Sequence, residues 1–209
     1  MTDKPRLQVA VVSDYICPFC YIGFLRLEKL RPDYDLTVNW AMLEIHPDTP
    51  AEGKPVEALG YSRPQLDSLL ENLDSLAQEE GVRLAAHSYT TSSHRALLLA
   101  EAGKRLGAAV FYRLHRRLFE TFLVEGRNIG DPTVLEALAH ECGVPPATLE
   151  DAWSNPEYEQ RLQRNLAAAV HNGVTGTPTF FIGEQRLTGA VPVEALRRAA
   201  RAAAETPPG

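Results

Sequence analysis

Leu7 to Cys20 reads LQVAVVSDYICPFC. Leu7–Val12 is a nearly continuous apolar run rich in valine, the pattern of a strand buried on both faces. Ser13 to Ile16 form a short connection. From Cys17 the spacing turns helical, with Cys20, Phe24, Leu27 and Leu30 able to share a face. Pro18 suits the first turn of that helix, where its missing N–H would have no partner, and Pro32 sets the end. Leu36–Ile45 then alternates, with Leu36, Val38, Trp40 and Met42 on one side, and reads as a second strand. Strand, helix, strand makes a βαβ unit and predicts parallel, right-handed pairing.

Downstream, residues 47–62 are rich in Pro, Gly and Glu and read as loop. Helical spacing follows over 66–77, over His94–Leu106 up to Gly107, and over Val110–Phe122. Asp131-Pro132 and Asn155-Pro156 pair a capping residue with a first-turn proline and start further helices, with a short one over Pro146–Trp153 between them. Pro178–Ile182 and Gln185–Thr188 form a hairpin across Gly183. Pro192 opens a last helix, and the tail Thr206–Gly209 is expected to fray. The fold class expected is α/β. Residues 1–46 and 174–209 form a small α/β layer, interrupted by an all-helical insertion over 60–172.

The chain has 209 residues, 44% of them hydrophobic and 23% charged, the proportions of a soluble globular protein. No apolar run approaches the roughly 20 residues a membrane helix needs. With 21 basic and 27 acidic residues the net charge is −6, which offers no general attraction to nucleic acid or an anionic membrane. Three cysteines make no disulfide scaffold. No signal peptide is read at the N-terminus, so the expected compartment is the cytoplasm, where thiols stay reduced.

In that compartment Cys17-Pro18-Phe19-Cys20 points to chemistry or metal. One helical turn puts both thiols on one face, within disulfide reach. Cys17 lies at the helix N-terminus, where free N–H groups and the dipole favour an anion. Cys20 sits a turn deeper. An attacking and a resolving sulfur are what thiol–disulfide exchange requires. The alternatives are half of a zinc site, for which no second ligand pair exists, and two inert buried thiols. No metal is expected. In Gly173–Phe180, Pro178 stands at the first position of a strand, where proline is tolerated. A trans bond is the ordinary state of X–Pro; a cis bond at Thr177–Pro178 would leave the Thr177 N–H and C=O free for an extended peptide.

These segments resemble the thioredoxin superfamily, in its DsbA-like branch, and are most similar to FrnE-like proteins. The matching stretches are Ser13–Gly23, Ser93-His94-Arg95, Glu125–Pro132 and Gly173–Phe180. The resemblance covers nearly the whole chain. It implies a thioredoxin fold with a large all-helical insertion between the second strand and the cis-proline strand. It implies a nucleophile at Cys17, a resolving thiol at Cys20 and a cis Pro178. Substrate contacts are expected at Thr177, Pro178, Phe19 and His94. No cofactor is expected beyond the redox-active pair, with glutathione as a candidate co-substrate, and the expected partners are thiol or disulfide proteins or peptides. Monomer and homodimer both remain open. The Pro-Phe pair departs from the Pro-Trp of many FrnE-like proteins and the Pro-His of DsbA, so a less stabilised thiolate is expected. No cysteine follows Cys142, so shuttling to a second dithiol is not expected.

Three functions compete: a thiol–disulfide oxidoreductase, an isomerase of the kappa glutathione-transferase type (which usually carries serine instead of CxxC), and a non-catalytic peptide-binding module. Asp14 is read as a cap, a solvated carboxylate or a proton carrier. His94 and Arg95 are read as a helix start, and His46, after the second strand, is read as lying off the site, with a place at its edge as the alternative. Cys142 is read as a buried structural thiol.

Overall fold

The computed structural model describes residues 4–85 and 88–205, so the tail expected to fray lies outside the described residues. In chain order it holds β1 (Arg6–Ser13), α1 (Pro18–Glu28), β2 (Asp35–Met42), β3 (Lys54–Pro55), α2 (Arg63–Glu79), β4 (Tyr89–Thr90), α3 (His94–Gly103), α4 (Ala108–Leu123), α5 (Pro132–Glu141), α6 (Pro146–Ser154), α7 (Pro156–His171), β5 (Thr179–Ile182), β6 (Gln185–Thr188) and α8 (Val193–Glu205). The main sheet has the order β2-β1-β5-β6. β1 and β2 run parallel from Arg6 opposite Asp35 to Ser13 opposite Met42, as the βαβ reading requires. β5 joins β1 antiparallel, Val12 opposite Thr179. This is a thioredoxin-like α/β fold, with six helices between β2 and the strand that follows Pro178.

Each strand owes its place to its apolar face. Leu7, Val9 and Val11 of β1 and Leu36, Trp40 and Met42 of β2 are buried. They join Phe24 and Leu27 of α1 and Phe119 of α4 in one hydrophobic cluster that continues into α5 and α6. β2 forms an edge, and unpaired carbonyls on an edge invite foreign strands. Three are covered by side chains: Leu36 accepts from Arg31 at 3.1 Å, Trp40 from Lys104 at 2.6 Å and Met42 from Asn165 at 2.9 Å.

Caps follow the expected chemistry at Asp131, whose carboxylate accepts from Thr133 N–H, and at Asn155, which accepts from Glu157 N–H. Two expectations are corrected. The helix read over His94–Leu106 is α-helical to Gly103 and tightens to a 3-10 turn over Lys104–Leu106. Gly107, at φ +88, then turns the chain into α4. The segment read as loop carries β3 and a 3-10 turn over Val56–Leu59, and β3 pairs antiparallel with β4, Lys54 opposite Thr90. Two-residue strands carry no periodicity, so local sequence holds no sign of this pairing.

Candidate active site

Cys17 caps α1 with extended backbone (φ −85°, ψ 111°), and its carbonyl accepts from the N–H of Cys20 at 3.0 Å. That hydrogen bond winds the chain one turn and brings the second thiol beside the first. Both thiols are free and buried. Their environments separate them. The Cys17 thiol is pushed below its ordinary value, first by a hydrogen bond from the Cys20 thiol, against the opposing effect of burial, and further by contact with Thr177. The Cys20 thiol is pushed well above it, chiefly by burial. Sequence reasoning assigned the activation of Cys17 to the helix terminus; the hydrogen bond from the neighbouring thiol acts in the same direction, as does the Cys20 N–H at that terminus.

The second half of the site arrives from 160 residues away. The Thr177–Pro178 peptide is cis. The Cys17 Sγ lies 3.6 Å from the Thr177 carbonyl oxygen, within reach of a thiol hydrogen bond. That carbonyl is therefore engaged, which corrects the expectation that it is free. The Thr177 N–H has no hydrogen bond among the described residues. The loop is held from behind. Gly189 N–H donates to the Pro178 carbonyl at 2.7 Å, and Thr179 Oγ1 donates to the Gly176 carbonyl at 2.7 Å.

Asp14 is neither a cap nor a solvated group. It is fully buried, and its carboxylate accepts from Ile45 N–H at 2.9 Å and Ile16 N–H at 3.4 Å, tying the loop before Cys17 to the chain after β2. Burial pushes its pKa up to about 7 despite those donors. A carboxylate and a thiolate here repel, and each raises the cost of ionising the other.

A cavity of about 150 Å³ opens beside Cys17, bounded by Phe19 of α1, His46, Val56, Phe122 and the leucines of α2. Phe19 and His46 thus reach the neighbourhood of the dithiol. His94 does not line this cavity. Its Nδ1 lies 2.5 Å from Glu44 and its Nε2 3.2 Å from Glu159, so it bridges the chain after β2 to α7. The Glu44 contact raises its pKa, against partial burial.

Two supporting groups escaped the sequence reading. Arg26 of α1 is buried, pairs with Glu79 and Glu80 at 2.6 and 2.9 Å, and donates to the carbonyls of Ala190 and Val191. It thereby joins α1, the end of α2 and the chain after β6. His115 is fully buried among aromatic rings, with its Nδ1 2.7 Å from the Tyr15 hydroxyl. Phe111, His115, Leu118 and Phe122 share a helical face, so the signal for His115 as a core residue was present in α4. Cys142 is buried, and burial pushes its thiol up to about 11, as suits an inert group. Among the described residues, no three His, Cys, Asp or Glu side chains cluster as a metal site would require.

Comparison with known proteins bears on the fold and the family. A Bacillus subtilis protein, uncharacterized YwbO, is 26% identical over 200 residues, spanning 92% of this chain and 95% of that one. The 2-hydroxychromene-2-carboxylate isomerase of Pseudomonas putida is 24% identical over 84% of this chain and 85% of its own. Among solved structures, a "probable DsbA oxidoreductase" from Streptomyces coelicolor superposes with a TM-score of 0.85 at 23% identity, over 98% of this chain and 93% of that one. The profile of the DSBA-like thioredoxin domain matches residues 8–201. The chain belongs to the DSBA-like thioredoxin domain family.

Proposed function

We propose that this chain is a thiol–disulfide oxidoreductase acting through Cys17 and Cys20 on protein or small-molecule disulfides in the cytoplasm. The observation that carries the reading is the inequivalence of two adjacent free thiols, one held toward its anion and one away from it, facing the carbonyl of Thr177. In the reducing direction, the Cys17 thiolate attacks one sulfur of a substrate disulfide. One substrate sulfur leaves as a thiolate and the other stays bonded to Cys17. Cys20 then attacks the Cys17 Sγ, its proton ends on a released thiolate, and the chain keeps a Cys17–Cys20 disulfide. The oxidising direction is the reverse. The free N–H of Thr177 gives the substrate backbone a donor beside the reacting sulfur.

Cys20→Ser blocks the second step, so it accumulates covalent complexes through Cys17 that dithiothreitol releases. Absence of any such complex in a lysate counts against the reading. A second reading has support in the likeness to 2-hydroxychromene-2-carboxylate isomerase. It is glutathione-linked isomerisation, in which Cys20 has no step. Activity with glutathione that survives Cys20→Ala favours it. Activity that survives loss of both cysteines favours a non-catalytic binding module.

A further inference from the structure

Tyr15 stands at the second position of the turn Asp14–Cys17, which the Cys17 N–H closes on the Asp14 carbonyl at 3.2 Å. Its hydroxyl lies 2.7 Å from the Nδ1 of His115, 100 residues away in α4. Neither residue reaches solvent. The imidazole sits where three elements converge, with ring centroids at 5.1 Å from Phe24 of α1, 4.2 Å from Trp40 of β2 and 5.2 Å from Phe119 of α4. Burial holds both rings neutral, aided by Lys104 and Arg116 near the imidazole and by Glu101 and Asp14 near the phenol. His115 Nε2 has no partner among the described residues. A ring N–H can rest against an aromatic face, whereas a bare nitrogen lone pair cannot. Phe24 and Phe119 stand at 80° and 85° to the imidazole, which places the ring proton on Nε2 and makes Tyr15 the donor to Nδ1. Two apolar rings of the same shape would fill this space at little loss of stability, so packing alone does not account for the pair.

We propose that His115 is a positioning residue for the dithiol: its hydrogen bond to Tyr15 fixes the turn that delivers Cys17, and so holds the Cys17 sulfur beside the Cys20 thiol. The inference rests on the oxidoreductase reading above. The Asp14 carboxylate, accepting from Ile16 and Ile45, holds the first residue of the turn. The Tyr15 hydroxyl holds the second and ties it to the helical insertion. A satisfied buried hydrogen bond is directional and specifies one arrangement where apolar packing tolerates several. Without it the turn shifts, and the Cys17 sulfur loses part of the hydrogen bond from Cys20 that favours its anion. The same displacement lengthens the path over which Cys20 attacks in the resolving step.

The test compares the reduced parent with Tyr15→Phe, His115→Phe and the double variant. Three quantities are read: melting temperature, the pH midpoint of Cys17 alkylation by iodoacetamide with the modified peptide located by mass spectrometry, and the Cys17–Cys20 potential in glutathione buffers. Each single variant leaves one polar group unpaired in the core and should melt lower; the double variant removes both groups and should regain stability. All three should raise the Cys17 midpoint by about half a pH unit or more, which is about threefold less thiolate below the midpoint, and move the potential to more negative values. A double variant with the parent's midpoint and potential overturns the proposal, because packing then holds the turn without the bond. In the parent, imidazole 15N shifts should show an Nε2–H ring that does not titrate between about pH 5 and 9; the other tautomer or a titrating ring also overturns it. A parent that reduces no disulfide and, as Cys20→Ser, traps no complex overturns the oxidoreductase reading, while the Cys17 midpoints decide the positioning role separately.

Discussion

Gly23 of α1 rests on Pro178: a Cβ at position 23 would stand 2.9 Å from the proline's Cγ and 2.9 Å from the tip of Phe180. The helix that carries the two cysteines therefore approaches the Thr177–Pro178 loop as closely as backbone allows. The absence of a side chain at 23 sets the depth of the seat in which Cys17 meets Thr177.

Gly23→Ala tests that contact. Alanine improves helix propensity by about 1 kcal/mol, but overpacking against a proline ring and a buried phenylalanine costs about 1–3 kcal/mol. With two contacts at 2.9 Å the upper half of that cost applies, so the expected net loss is about 1–2 kcal/mol, read as a lower urea midpoint at unchanged slope. A variant as stable as the parent would show that the loop gives way freely.

Cys20 lowers the Cys17 pKa by donating a hydrogen bond. In Cys20→Ala that donor is gone, and alkylation of Cys17 by iodoacetamide at neutral pH should slow several-fold, its pH profile moving to higher pH. Cys20→Ser keeps a hydroxyl donor and should fall between the two. Identical profiles for the three proteins would return the activation to the helix terminus alone.

Asp14 makes stability depend on pH. Its folded-state pKa of about 7 lies above the ordinary 3.8. Between those values the native state holds a proton that the unfolded state has released, so stability declines as pH rises from about 4 to about 7. The decline is at most about 4 kcal/mol, at 1.36 kcal/mol per pKa unit. Asp14→Asn keeps an oxygen for the N–H groups of Ile45 and Ile16 and removes the charge. It should flatten the profile and be the more stable protein at pH 8 in urea unfolding of the reduced form. Parallel profiles would contradict the burial argument.

Arg26→Ala should be among the most damaging substitutions outside the core. Burial alone would push the Glu80 carboxyl up, and the hydrogen bonds from Lys29 and Arg26 hold it below its ordinary value. Removing Arg26 leaves Glu80 to Lys29 alone and strips two carbonyls of their donor. Breaking a buried pair costs about 3–5 kcal/mol; with Lys29 still in place the lower end is expected, a fall of roughly 6–12 °C in melting temperature. A shift under about 2 °C would mean that α1 and α2 hold together without it.

The sequence by itself determined the parts with a local period or a local chemical signature. The valine run of β1, the alternation of β2, the Pro-led helices and the caps at Asp131 and Asn155 all declared themselves, because backbone geometry imposes spacings of two or 3.6 residues on whatever is buried. The Cys17–Cys20 pair was legible for the same reason: one helical turn is a local fact. Only the tertiary structure decided what surrounds that pair. The Thr177 carbonyl reaches Cys17 across 160 residues, Asp14 takes its donor from Ile45, and His94 turns to Glu44 and Glu159. The pairing of β3 with β4 and the aliphatic wall of α2 depend on long-range packing as well. Contacts of this kind are selected by the total free energy of the packed chain. A pKa is set by the burial and donors those contacts create, so the order of the two thiol acidities was legible from their places on one helical turn, and the contacts with Thr177 and Asp14 that modify it came only with the fold.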